Sequence, residues 1–179
     1  MSSSLYLSSV PVFTRYLQQL AAMLALAQTH IRQTGMDEQA LLATRLAADM
    51  HPFLSHVQIA DDFARRACAP LAGVAKPEYA GNAASLAELA ARIATTLAFL
   101  AALPAAAFDG NATRQISSAA GQQQLVLDAG TFLLHYALPN FFFHITIAYA
   151  ILRHLGVEIG KRDFDGFHLY PSARNGDTA

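Results

Sequence analysis

A chain of 179 residues with 54 % hydrophobic and only 14 % charged side chains suits one domain with a sizeable core and is too apolar to stay disordered. A net charge of −1, with no cluster of Lys or Arg, excludes the electrostatic footprint of nucleic-acid binding. The single cysteine, Cys68, excludes an internal disulfide and a paired zinc or redox motif, and reads as a small buried apolar residue.

The opening stretch MSSSLYLSSVPVF has no basic residue before Arg15, so it does not read as a secretory signal, and a cytoplasmic setting is expected. Ser9 followed by Pro11 predicts a helix start, with a hydroxyl cap and proline in the first turn. Phe13, Leu17, Leu20, Leu24, Ala27 and Ile31 then alternate spacings of four and three, laying one apolar stripe along a helix. Gly35 is the expected stop, and Asp37 the cap of a short helix reaching Leu46.

A second long helix is expected from Asp49 as its cap, with Pro52 in the first turn. Its stripe is Phe53, His56, Ala60, Phe63 and Ala67, and Pro70 with Gly73 ends it. Asp61 and Asp62, within a turn of Arg65 and Arg66, are expected on its solvated side. After the turn-rich KPEYAGN, Ser85 and Glu88 make a capping box for a third stripe, Leu86, Leu89, Ile93, Leu97 and Leu100, closed by Pro104. Between Arg114 and Asp128 the pattern becomes two short runs around Gly121, which predicts a β-hairpin that must lie on the helices to be stable.

The last long helix is expected from near Gly130 to Gly156, within a run from Ala129 to Leu152 that has no Asp, Glu, Lys or Arg. That run is long enough to cross a bilayer, yet His135, Pro139, Asn140 and His144 would stand near its middle, and the chain has no Trp for an interfacial belt. A buried core helix is the reading, with no membrane partner. Pro139 removes the N–H that would bond the carbonyl of His135, so a kink or a fresh start near Leu138 is expected.

Beyond that point Asn140, His144, Ile147 and Ile151 share the core face, while His135 would lie opposite on an unbroken helix. His56 points inward from the second helix, so His56, Asn140 and His144 can converge. Imidazoles so placed can hold a divalent metal with an open water position, with the Asn amide as a weaker donor. Equally, these groups can hydrogen-bond one another or the kinked turn, as buried polar groups require. Asp49 and Asp163 complete the candidate pocket of His56, His135, Asn140 and His144. Asp163 belongs to Gly160–Phe164, a segment expected to fold back and seal the bundle.

These elements predict an all-α four-helix bundle with a small β-hairpin before the last long helix, in one domain over residues 1–166 with a tail over 167–179. The segments SVPVF, ADM with Pro52, TLAFLAALPAAAFDG, LLHYALPNFFFH and GKRDF together resemble a bacterial domain-of-unknown-function family, number nineteen ninety-three, of the DinB/YfiT-like superfamily of metalloenzyme-type bundles. The resemblance runs from about Met1 to Gly166. It implies an up-down-down-up bundle, often a homodimer. It also implies a three-His metal site, with Ni or Zn as candidate metals and thiol transfer among the superfamily's activities. Matched onto this chain, the ligands fall at His56, Asn140 and His144, a departure at one of three positions. The expected function is therefore a small-molecule-binding or scaffold protein with a degenerate metal site, the alternative being an active metal-dependent enzyme such as a thiol S-transferase.

Overall fold

The computed structural model of the chain describes residues 4–79, 81–110 and 113–168. Four long helices carry the stripes: α1 (Ser4–Thr34), α3 (Phe53–Ala72), α4 (Leu86–Ala101) and α6 (Leu138–His154). Short helices α2 (Glu38–Ala43), α5 (Ala129–Thr131) and α7 (Lys161–Asp165) link or close them, and strands β1 (Gln115–Ala120) and β2 (Gln123–Asp128) form the hairpin. The architecture is the expected bundle: α3 packs on α6 and α4, and α1 packs on α4, α3 and α7.

The core lies where the stripes meet. Phe13, Leu17, Leu20 and Ala27 of α1 are fully buried, as are Phe53 and Ala60 of α3, Ile93 and Leu100 of α4, and Phe141 and Ile151 of α6. Phe13 meets Phe141 edge to face with ring centroids 4.9 Å apart, joining α1 to α6. Burying one such ring contributes about 1.5–3 kcal/mol.

Several boundaries differ from the expected ones. Helix α1 starts by Ser4, and Pro11 sits inside it. Ser9 is buried and donates back to the carbonyl of Leu5 at 2.6 Å, so it serves the helix interior rather than its cap. Helix α2 ends at Ala43 rather than Leu46, and Asp37 caps it by accepting from Gln39 and Ala40 N–H groups. Asp49 is exposed in a turn and does not cap α3, which Pro52 precedes without any side-chain cap. Pro70 stays within α3, and Gly73, at φ +71°, terminates it. At α4, Ser85 Oγ accepts from Glu88 N–H as expected, but Glu88 reaches past it to the N–H of Ala84.

The hairpin pairs Gln115 with Asp128 through Ala120 with Gln123. It is tied to the bundle by Arg66, which donates to Ser118 Oγ and the Ala119 carbonyl, and by the Tyr136 hydroxyl, which donates to the same carbonyl. Before Pro139 the backbone widens into a π-helical turn over Phe132–Ala137, in which the Leu138 N–H bonds the carbonyl of Leu133. The irregularity expected near Leu138 thus takes the form of a widened turn, placed where proline lacks a donor. Among the described residues no helix is long and apolar enough to cross a membrane.

The segment after α6 folds back as expected. Phe164 of α7 meets Tyr16 of α1 and Tyr149 of α6, each at a centroid distance of 5.6 Å. The tail beyond His168 lies outside the described residues.

Candidate functional site

His56 stands one turn into α3, and His144 lies beyond the π-helical turn on α6. Because these helices pack along each other, the two rings meet: Nδ1 faces Nδ1 at 2.9 Å, with His56 1 % and His144 8 % exposed. Burial first, then the neighbouring rings of His56 and His51, push the His144 pKa down to about 4. Burial and His51 lower that of His56 as well, with the His51 carbonyl acting in the opposite sense. Both imidazoles are therefore neutral at neutral pH. One ring must carry its proton on Nδ1 and the other must leave Nδ1 free to accept.

The surroundings are aromatic, with the Arg66 guanidinium 4.8 Å from the centroid of the Phe63 ring. Phe63 stacks on His144 with planes 24° apart and centroids at 6.2 Å. Phe143 stands edge-on to His144 at 5.2 Å and is itself 56 % exposed. His56 Nε2 is buried and makes no hydrogen bond of normal geometry, the His51 carbonyl being the backbone group that acts on this ring. An unsatisfied buried nitrogen costs about 1–3 kcal/mol, so it marks a place where a polar group of a ligand or solvent is favoured.

The other predicted site residues go elsewhere. Asn140 is half-buried, and its amide donates to the carbonyl of Tyr136 at 2.8 Å, within the irregular turn. His135 and Asp49 are exposed. Asp163 caps α7, accepting from the Gly160 N–H at 2.7 Å, and lies 3.7 Å from Arg162. His51 was not a predicted member, yet its ring is 6.0 Å from that of His56. The two histidines stand five positions apart across the start of α3, a spacing that shares no helical face, so periodicity could not have found it. Cys68 is buried in the core, and burial pushes its thiol up to about 12, which leaves it unreactive.

A three-donor metal centre requires His56, Asn140 and His144 to converge. His56 and His144 do meet, and the Nδ2 of Asn140 donates to the carbonyl of Tyr136. Among the described residues no group of three His, Cys, Asp or Glu side chains is placed to hold a metal ion.

Comparison with known proteins agrees with the bundle. The profile of a domain of unknown function, DUF1993, matches residues 5–165. A crystal structure of a DinB family member protein from Shewanella denitrificans is similar, at 39 % identity and a TM-score of 0.84 over 94 % of this chain and 95 % of that one. No curated protein matches the sequence.

Proposed function

We infer, for a chain that belongs to the DUF1993 family and shares the DinB-like fold, a ligand-binding role centred on the His56–His144 pair. The metal site of the superfamily is degenerate here, and the histidine pair serves a small, planar, hydrogen-bonding molecule instead. The observation that carries this reading is the buried His56 Nε2, left without a well-formed hydrogen bond beside aromatic walls that include the exposed ring of Phe143. Such a mix of apolar lining with few polar groups is what small-molecule sites use to orient a ligand.

The test is a thermal-shift screen of uncharged heteroaromatic fragments against the parent and a His56→Phe variant. Hits that stabilise the parent and lose their effect in the variant support the role. Hits that act equally on both, or none at all, overturn it.

A second reading, a metal-dependent transferase, draws on one measurement. The Nδ1–Nδ1 separation of 2.9 Å is about that of two imidazole nitrogens bound cis, at roughly 90° and 2.0–2.1 Å, to one metal. Near-stoichiometric nickel or zinc in protein purified without chelator, lost in His144→Ala, would favour it. Protein that stays empty after incubation with nickel, zinc and manganese would remove it.

The proposal includes a cytoplasmic homodimer. The groove between α1 and α4, lined by Ala21, Ala25 and Gln28 of one helix and Leu86, Ala87 and Ala90 of the other, is an uncharged strip suited to a second copy. Light scattering of Ala25→Lys, an exposed position in the groove, against the parent checks this: a dimer that becomes a monomer supports the strip, and an unchanged mass rejects it.

A further inference from the structure

Away from the histidine pair, the loop between α3 and α4 straps down a buried acid. Asp61 is 1 % exposed and Arg65 2 % exposed, contrary to the expectation that this side of α3 is solvated. The covering is done by three residues of the loop. Lys76 Nζ reaches Asp62 Oδ1 at 3.1 Å, and the Pro77 carbonyl accepts from Arg65 Nη1 at 2.5 Å. Tyr79 completes the closure: the guanidiniums of Arg65 and Arg92 lie over its ring at 4.0 and 4.4 Å. Its hydroxyl donates to the Arg92 carbonyl and meets Thr96 Oγ1, both at 2.5 Å.

Beneath this strap four buried polar atoms have no hydrogen-bond partner: Asp61 Oδ1 and Oδ2, Arg65 Nε and Arg92 Nε. Arg65 Nη2 stands 3.6 Å from Asp61 Oδ2, attractive as an ion pair but too long for a hydrogen bond. Thr96 also neighbours the carboxylate, but its one hydroxyl proton is contested by Tyr79 Oη. Even if that proton goes to Asp61, one oxygen remains unmet.

The chemistry of the occupant follows by elimination. Two guanidiniums oppose a cation, and the carboxylate opposes an anion. Two acceptors and two N–H donors need a neutral group that both donates and accepts, and the closed strap allows only a very small one. Water meets all of these demands, and buried waters characteristically join such otherwise unsatisfied groups.

We propose that Asp61, Arg65 and Arg92 form a closed binding site for ordered water beneath the Tyr79 strap, the water donating to Asp61 and accepting from a guanidinium Nε. The carboxylate is held through solvent, and Lys76, Pro77 and Tyr79 are the cover that keeps that solvent in place.

A high-resolution crystal structure of the full chain tests this directly, beside one of Asp61→Leu. The expected result is a density peak about 2.7–3.2 Å from an Asp61 oxygen and also in contact with Arg65 or Arg92 Nε, absent in the variant. Asp61 paired directly with Arg65 or Thr96, with no peak, overturns the proposal. So does a peak that persists in Asp61→Leu, because the carboxylate would then not be what holds it.

Discussion

His56 and His144, 88 residues apart in the chain, present Nδ1 to Nδ1 at 2.9 Å between α3 and α6, and the fold keeps both rings neutral. That neutrality has a pH signature. A histidine near 4 when folded and 6.5 when unfolded refuses a proton that the unfolded chain takes up. Its contribution is fully present above about pH 6.5 and is lost as pH falls towards 4, by on the order of 3 kcal/mol. Urea unfolding of the parent and His144→Gln between pH 4 and 8 checks this. The variant should show a flatter acid limb, and parallel limbs would refute the assignment.

Asp61 and Asp62 should behave oppositely despite being neighbours. Burial, the largest influence, raises the pKa of Asp61, with Thr96 and the arginines pulling it down. An acid with a raised folded pKa adds no penalty at low pH, and its penalty appears as pH rises through the folded value. Asp61→Asn should therefore match the parent near pH 3 and be the more stable of the two at pH 8. Asp62 pairs with Arg65, Arg66 and Lys76, so Asp62→Asn should cost about 1 kcal/mol at pH 8. Chemical denaturation at the two pH values separates the pair, and a loss at pH 8 in both variants contradicts the prediction.

Tyr79 is the fastening point of the loop over α3. Tyr79→Ala removes two cation–π contacts and the hydroxyl's bond to the Arg92 carbonyl, an expected loss of about 2 kcal/mol. Hydrogen exchange should quicken at Lys76 and Glu78 while α1 keeps its protection. Uniform loss of protection through the bundle would show that the loop is not a separate unit.

Gly166 ends α7 at φ +69°, and a Cβ there would come within 2.6 Å of Gln19 Nε2 on α1. Gly166→Ala should cost about 1–2 kcal/mol, from backbone strain and from displacing Gln19. Gly81, at φ +75° with open space around it, carries the strain alone, so Gly81→Ala should cost less. Equal thermal shifts in the two variants would mean that α7 does not depend on this close approach.

The helices were legible because a buried stripe must repeat at the helical period. Phe13, Leu17, Leu20 and Leu24 announce α1, and Phe53, His56, Ala60 and Phe63 announce the inward face of α3. The hairpin was legible for a similar reason, since Gly121 sits between two runs and takes the positive φ, +60°, that its turn demands. Pro139 announced an irregular turn because its lost donor is a covalent fact, whatever surrounds it. What periodicity assigns is a residue's face on its own helix, and this determined the bundle and the inward aim of His56 and His144.

Which inward residues meet was decided only by tertiary structure. His144 finds His56 because α6 lies along α3, while Asn140, on the same predicted face, turns to the carbonyl of Tyr136 in the widened turn. His51 reaches the pair from outside α3, a position no helical period describes. Asp61 and Arg65 repeat like a solvated ion pair and are nonetheless buried, because the loop carrying Tyr79 crosses over them. Local sequence sets propensity and facing, both short-range properties of the backbone. Burial and pairing depend on what another part of the chain places on top, and only the folded arrangement of distant segments decides that.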